Sequence, residues 1–215
     1  MNLTDYLIKN AWLKTPKIIQ AFKKIKREDF LPDEIKKLAE LNEALPIGFG
    51  QTISQPLVVA FMLEKLNPEK GEKILDVGSG SGWTTALLSE IVGGEEASEC
   101  PGKIIAIETI PELMEFGKKN VSKYNFVKKN IAFFICADGS KGYKKEAPYD
   151  KILCSAAACK KIPDEWKKQL KNGGIIVAPI NSSIWVFKKS LAISGREEFE
   201  EAEFPGFTFV PLIEK

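Results

Sequence analysis

The segment Asp76-Val77-Gly78-Ser79-Gly80-Ser81-Gly82-Trp83 combines residue types that can hold a ligand with very little side-chain bulk. Glycines reach positive φ and let the backbone approach a ligand closely. A helix starting behind them offers N–H groups with no intrahelical partner. The spacing is Gly-x-Gly-x-Gly, which differs from the Gly-x-Gly-x-x-Gly of dinucleotide binders. An acid two residues ahead of the first glycine also repels a pyrophosphate. It suits a ligand with an ammonium group and further positive charge nearby, and S-adenosylmethionine, with an ammonium, a sulfonium and no phosphate, fits. Two more acids join it. Glu108 ends the next strand, where a carboxylate can accept both hydroxyls of a ribose. Asp138-Gly139 ends the strand after that, where the acid can accept from an adenine amino group and the glycine lets the ring come near. The competing reading of each acid is helix capping and turn chemistry. Three acids at three successive strand ends argue for a ligand, because open α/β sheets bind ligands at that edge.

The elements that must carry these residues alternate in type. From Lys73 the chain reads as strand 73–77, the glycine turn 78–82, a helix through Leu87, Leu88 and Ile91, strand 104–107, and a helix entered by the capping box Thr109-Ile110-Pro111-Glu112. Strands at 131–136 and 151–154, a short helix at 163–170, and a turn at Asn172-Gly173-Gly174 into strand 175–178 follow. Strand–helix alternation predicts a doubly wound, Rossmann-like α/β sheet of about seven strands, mostly parallel, with helices on both faces. After Ile184 only strand signals remain, and antiparallel strands should close the sheet edge. Before Lys73 the chain reads as extra helices. Thr15-Pro16 gives a capped start for Ile18, Ile19, Phe22 and Ile25. A second pattern runs from 31 to 41, Pro46, Gly48 and Gly50 break the chain, and a third helix covers 56–66. The division is one domain: residues 1–70 as a helical substrate-cleft part, 71–180 as a cofactor-binding core, and 181–215 as strands and tail.

Composition excludes several alternatives. The 215 residues carry 31 basic and 29 acidic side chains, a net +2. That balance supplies no electrostatic reason for nucleic acid or an anionic membrane as partner. There is no His, which removes His-based triads, proton shuttles and metal sites together. The cysteines, Cys100, Cys136, Cys154 and Cys159, contain no Cys-x-x-Cys pair, and no metal-ligand cluster is evident. Without an apolar leader or a run of roughly 18 apolar residues, the expectation is a cytoplasmic protein with reduced thiols. Lysine pairs such as Lys23-Lys24 and Lys118-Lys119, and the acidic stretch 93–102, read as solvated faces and a surface loop.

The segment Gly48-Phe49-Gly50-Gln51-Thr52-Ile53-Ser54-Gln55-Pro56 resembles the signature of protein-L-isoaspartate O-methyltransferases. The resemblance continues through Phe30-Leu31-Pro32, the glycine loop, Ile107-Glu108, Ile110-Pro111-Glu112-Leu113, Asp138-Gly139, Ala147-Pro148-Tyr149-Asp150, Ser155-Ala156-Ala157-Ala158, Ile162-Pro163 and Phe209-Val210-Pro211-Leu212, in family order. It implies a repair enzyme that methylates the α-carboxylate of L-isoaspartyl residues in damaged proteins, the ester then collapsing to a succinimide that reopens partly to aspartate. It implies S-adenosylmethionine as cofactor, with Asp76, Gly78, Ser79, Gly80, Gly82, Glu108, Asp138 and Gly139 binding it. Ser54 is the implied active-site residue, and Gln51, Thr52 and Ile53 line the substrate site. No metal enters, and the expected state is a monomer acting on isoaspartyl proteins and peptides. The chemistry agrees with the missing His: a carboxylate with a pKa near ~3.9 is ionised at neutral pH and needs no general base. Ser54 can instead cap the helix opened by Pro56. Leu57-Val58-Val59 stands where some relatives carry a His, Ile213 stands where a Thr often follows Val-Pro-Leu, and Cys154 and Cys159 flank Ser155 and its alanines. The readings that compete keep the methyltransferase fold with a different acceptor, or keep binding without turnover.

Overall fold

Central strands of a parallel sheet are covered on both faces, so they read as unbroken apolar runs rather than alternating ones. Lys-Ile-Leu-Asp-Val and Lys-Ile-Ile-Ala-Ile-Glu obey that rule and form the middle of the sheet. The computed structural model describes residues 2–93, 101–158, 160–191 and 197–213. Its elements run α1 Leu3–Lys9, α2 Pro16–Lys24, a hairpin of β1 Leu45–Gly48 and β2 Gln51–Ile53, and α3 Pro56–Leu66. Then come β3 Lys73–Val77, α4 Trp83–Gly93, β4 Lys103–Glu108, α5 Pro111–Ser122, β5 Ala132–Cys136, β6 Tyr149–Cys154 and α6 Asp164–Gln169. Three long strands, β7 Leu170–Ile180, β8 Ser183–Leu191 and β9 Glu197–Pro205, close the order.

Seven strands hydrogen-bond in the order β5-β4-β3-β6-β7-β8-β9. The pairs from β5 to β7 are parallel and those joining β7, β8 and β9 are antiparallel. This is the expected Rossmann-like sheet, with the expected antiparallel edge. The chain steps outward from β3 to β4 and β5, then returns to the other side of β3 as β6. The strand order reverses there, and a crevice opens at the carboxyl ends of β3 and β6. Side chains alternate across the sheet: Ile74, Ile104 and Leu153 join one buried cluster with α2, α3, α4 and α5, whereas Leu75, Ile105, Ile152 and Trp166 join another beneath α6. Helices cover both faces, but unequally, since the second face has only the six residues of α6 and two 3₁₀ turns. The outer strand β9 carries five glutamates; charge on an edge strand opposes pairing with another chain.

Several local expectations change. Residues 31–41 do not form an α-helix; Asp33–Leu38 is a 3₁₀ turn, cut short by Pro32 ahead of it and the turns after it. Thr15 stands at the cap position of α2 without capping it. Its hydroxyl donates instead to Glu64 Oε2 (2.7 Å), and its N–H to Glu64 Oε1. Ile110, not Thr109, is the N-cap of α5, so the capping box does not form. Glu108 accepts from both Thr109 N (2.8 Å) and Ile110 N (3.1 Å) and does that work from the strand end. The Asn172-Gly173-Gly174 turn is absorbed into β7 as an irregular register between β6 and β7. The expected acidic loop falls mainly on 94–100, outside the described residues, as do Cys100 and Cys159.

Candidate active site

The hairpin comes first because it delivers Ser54. Gly48 pairs with Gln51, which leaves Phe49-Gly50 as a two-residue turn with φ of 54° and 69°. Two positive φ values in succession give the turn whose twist matches paired strands. Leu45, Ile47 and Ile53 point inward and are buried, and Ile47 packs where a Cβ on Gly80 would lie, 3.3 Å away. The signature segment thus rests directly on the glycine loop. The N-cap of α3 is Gln55, with no side-chain cap bond. Asn42 supplies the missing acceptor: its Oδ1 takes the Leu57 N–H (3.0 Å), and its carbonyl accepts from Gln55 Nε2 (2.9 Å). Ser54 is therefore not the cap, and its hydroxyl remains available at the wall of the crevice.

One cleft gathers most of the expected residues. Its walls include Gln51, Thr52, Ile53 and Ser54 from the hairpin, Gly78, Ser79, Gly80 and Ser81 from the loop, Glu108 after β4, and Gly139 after β5. Ser155 and Ala156, which the resemblance covers without giving them a site role, follow β6 and complete the wall; their place beside the reversal of strand order was a usable signal. Val210, Pro211, Leu212 and Ile213 close the other side. That tail is tied down by Ala157, whose N–H donates to Val210 O and whose carbonyl accepts from Leu212 N, both at 2.8 Å.

Asp76, Gly82 and Asp138 do not line the cleft. Gly82 is a packing glycine: at φ +85°, a Cβ there would meet the Gly117 carbonyl oxygen at 2.8 Å. Asp138 accepts from Ser140 N (2.9 Å) and Ser140 Oγ (2.7 Å) and pairs with Lys141 (3.2 Å), so it builds the turn that presents Gly139. Asp76 lies under the loop, fully buried, accepting from Thr85 Oγ1 (2.6 Å). Its other oxygen has no partner among the described residues. Burial pushes its carboxyl up to about 7, the Thr85 bond works against that rise, and the Glu108 charge adds to it. Cys154 is buried with its thiol pushed up to about 12 by burial, a packing residue rather than a nucleophile. Trp83 lines the cleft while its ring meets Phe22 edge-on at 5.6 Å.

Glu108 is nearly buried and accepts a third bond from Gly80 N (3.0 Å). A carboxylate has about four lone-pair sites, so one site beyond those three bonds faces the cleft. The Ser79 hydroxyl is buried in the same wall without a partner among the described residues. An unsatisfied acid oxygen beneath the loop, an unsatisfied hydroxyl in its wall and an acid at the next strand end suit an adenosine ligand that also carries an ammonium and a sulfonium. Among the described residues no group of acids and cysteines could hold a metal ion.

Comparison with known proteins agrees with this geometry. The family model for protein-L-isoaspartate(D-aspartate) O-methyltransferase matches residues 1–215. A protein-L-isoaspartate O-methyltransferase of Staphylothermus marinus is 38% identical over 97% of this chain and 91% of its own. A solved protein-L-isoaspartate O-methyltransferase superposes with a TM-score of 0.82 at 27% identity, covering 97% of this chain; this chain spans 64% of that longer one. A Plasmodium falciparum structure assigned to the same activity, in complex with S-adenosyl-L-homocysteine, superposes over 100% of both chains with a TM-score of 0.84 at 20% identity, which speaks for the fold. With its signature hairpin, glycine loop and closing tail assembled around one cleft, this chain belongs to the protein-L-isoaspartate(D-aspartate) O-methyltransferase family, enzymes that take their methyl group from S-adenosylmethionine.

Proposed function

We propose that this chain methylates the α-carboxylate of L-isoaspartyl residues with Ser54 aligning the acceptor. The observation that carries the reading is the shared cleft: Ser54 and the hairpin form one wall, and the glycine loop and Glu108 form the other. The cofactor supplies an electrophilic methyl group when bound. Gly78, Ser79 and Gly80 cradle it, Ser79 Oγ gains the partner it lacks, and Glu108 accepts from the ribose, with the Gly80 N–H free to exchange its bond. Gly139 forms the adenine wall, held in place by Asp138. Asp76 acts through the loop, as the buried negative charge that favours an ammonium above it, and Gly82 sets the entry of α4 against α5.

The acceptor carboxylate arrives ionised, so the protein has no proton to remove. Its work is to orient two reactants and strip water from between them. The Ser54 hydroxyl donates to the carboxylate oxygen that does not attack, leaving the other aimed at the methyl group. Gln51, Thr52 and Ile53 hold the peptide beside it, and the tail 210–213 covers the pair. The second cavity beside Ser54, bounded by Leu57, Gly206 and Phe207, leaves room for an extended chain. All of these groups come from one chain, which supports a monomer acting on isoaspartyl proteins. The near balance of charge gives no electrostatic support to a nucleic-acid or anionic-membrane partner. No helix among the described residues is long and apolar enough to cross a membrane.

The test is methyl transfer from labelled S-adenosylmethionine to one peptide in Asp and isoAsp forms. Labelling of the isoAsp form alone, as a base-labile ester, is expected. Labelling of neither form with cofactor binding intact would show that the cleft serves another acceptor. Ser54→Ala should lower kcat by about 10- to 100-fold, the worth of a hydrogen bond to a charged group, with cofactor Kd held within about twofold. Unchanged kcat would remove Ser54 from the mechanism.

A further inference from the structure

Arg27 is a buried cation that no part of the reaction described above uses. It is 7% exposed and opens the 3₁₀ turn Arg27–Phe30. Its guanidinium donates to four carbonyl oxygens, three from the stretch 39–43 and one from Ser54. Nη1 meets Ala39 and Leu41, each at 3.0 Å, while Nη2 meets Glu43 at 2.7 Å and Ser54 at 3.2 Å. The guanidinium carbon also lies 5.4 Å from the centre of the Trp83 ring, at the end of the glycine loop. Ser54 and Trp83 both line the cleft, so one side chain touches the backs of the acceptor wall and the cofactor wall.

Its electrostatics are unusual. No carboxylate hydrogen-bonds to Arg27 among the described residues, and its Nε has no partner. Glu40 acts on it by charge alone, and burial lowers it to about 10, which leaves it cationic at neutral pH. Burying a charge with only carbonyl dipoles around it costs stability. An apolar side chain could fill the volume, but the four carbonyls would then lose their shared donor. The acidic residues of the site, Asp76 and Glu108, lie on the cofactor side of the cleft. An acceptor carboxylate must approach them, and a cation behind Ser54 with no carboxylate hydrogen-bonded to it among the described residues offsets that repulsion.

We propose that Arg27 is a positioning residue for methyl transfer, which holds the Ser54 backbone in register with the glycine loop and favours a carboxylate in front of Ser54. The proposal rests on the reading that Ser54 faces the acceptor. Arg27→Lys keeps the charge and loses the planar fork; Arg27→Gln keeps a donor and loses the charge; Arg27→Ala leaves a space that ethylguanidinium can enter.

The experiment measures kcat and peptide KM, cofactor Kd and Tm for these three variants, for Ser54→Ala, and for the Ser54→Ala/Arg27→Lys double variant. At a temperature where each is folded, Arg27→Gln and Arg27→Lys should lower kcat/KM for the isoaspartyl peptide at least tenfold, with the Gln variant worse. Cofactor Kd should stay within threefold. Ethylguanidinium should restore part of the kcat of Arg27→Ala and none to the unsubstituted enzyme, and the double variant should lose less than the product of its single losses. Unchanged kcat/KM in the folded Lys and Gln variants, with Ser54→Ala impaired, overturns the proposal alone. So does a cofactor Kd that weakens in parallel with kcat/KM, which marks a structural role only. Failure of all Arg27 variants to fold, with no recovery of fold or turnover on adding ethylguanidinium, overturns it in the same way. Unchanged turnover in Ser54→Ala overturns the reading of Ser54 and this proposal with it.

Discussion

The two ends of the central strands treat charge in opposite ways. At the amino ends, every described acid near β3, β4 and β6 meets a cation. Lys103 pairs with Glu146 (2.8 Å), Lys151 with Glu72 (3.1 Å) and Lys171 with Asp150 (2.6 Å), and Lys73 Nζ reaches the Glu146 carbonyl. At the carboxyl ends, Asp76 and Glu108 accept only from a hydroxyl and from backbone N–H groups. The paired end is complete by itself and serves the fold. At the other end, Asp76 and Glu108 have no cation hydrogen-bonded to them among the described residues; burial raises the Asp76 carboxyl, and one of its oxygens is left unsatisfied there. The same sheet is thus finished at one edge and left in need of a positively charged ligand at the other.

The sharpest way to break this contrast is to remove the unmet charge. Asp76 rises from 3.8 to about 7 on folding, so the native state holds a proton that the unfolded chain releases. Its contribution to stability is full below about pH 4, and is lost as pH rises toward 7. The loss amounts to about 4 kcal/mol at most, from a shift of about three units. Asp76→Asn should therefore flatten the stability profile of the cofactor-free enzyme between those pH values, while weakening S-adenosylmethionine. Chemical denaturation at a series of pH values checks the first outcome and calorimetry the second. An unchanged profile would mean that Asp76 is not the titrating group. By the same logic, binding of the cationic cofactor to the unsubstituted enzyme should release protons below about pH 7.

Lys151 tests the opposite edge. It is buried, bonds to Glu72 and to the Asn67 carbonyl, and its replacement takes the cation from Glu72, which keeps the Glu69 N–H, and the side-chain donor from that carbonyl. Lys151→Ala should cost about 3 kcal/mol of stability with cofactor Kd unchanged, as read by urea titration beside a binding isotherm. A change in Kd as large as the change in stability would erase the distinction between the edges. Glu108→Gln comes next, raising cofactor Kd by about 10- to 100-fold, as expected for bonds to a charged group; retained affinity would move the ribose elsewhere. The smallest effect is expected from Lys103→Ala, whose pair with Glu146 is about one-third exposed on both sides. Such a pair contributes at most about 1 kcal/mol, and thermal denaturation should show little movement.

The legibility of these regions followed the range of the forces involved. Strands β3 and β4 could be read because burial on both faces writes itself into consecutive residues. The glycine loop could be read because positive φ restricts residue type. Caps were read poorly, since Thr15, Thr109 and Ser54 carry the right side chain for a cap that none of them makes: Glu108 does the work expected of Thr109, and distant groups decide the other two. Glu64 takes the Thr15 hydroxyl across 49 positions, and Asn42 caps α3 across 15. The hairpin at 45–53 was seen only as chain breakers, although Gly48-Phe49-Gly50 between alternating apolar residues carried its signal.

What the sequence determined by itself is the order of elements, the glycine loop, the acids at three strand ends and the segment that marks the family. Each depends on a residue and its immediate neighbours. Tertiary structure decided which of those residues line the cleft. It turned Asp138 into the support of Gly139, set Asp76 beneath the loop, and released Ser54 from helix capping. It also brought Ser155, Ala156 and the tail to the cleft, and placed the Arg27 guanidinium behind Ser54. These are relations between groups far apart in the chain, fixed by where the strand order reverses and by which buried polar atoms find partners. Neither condition exists until the sheet has formed.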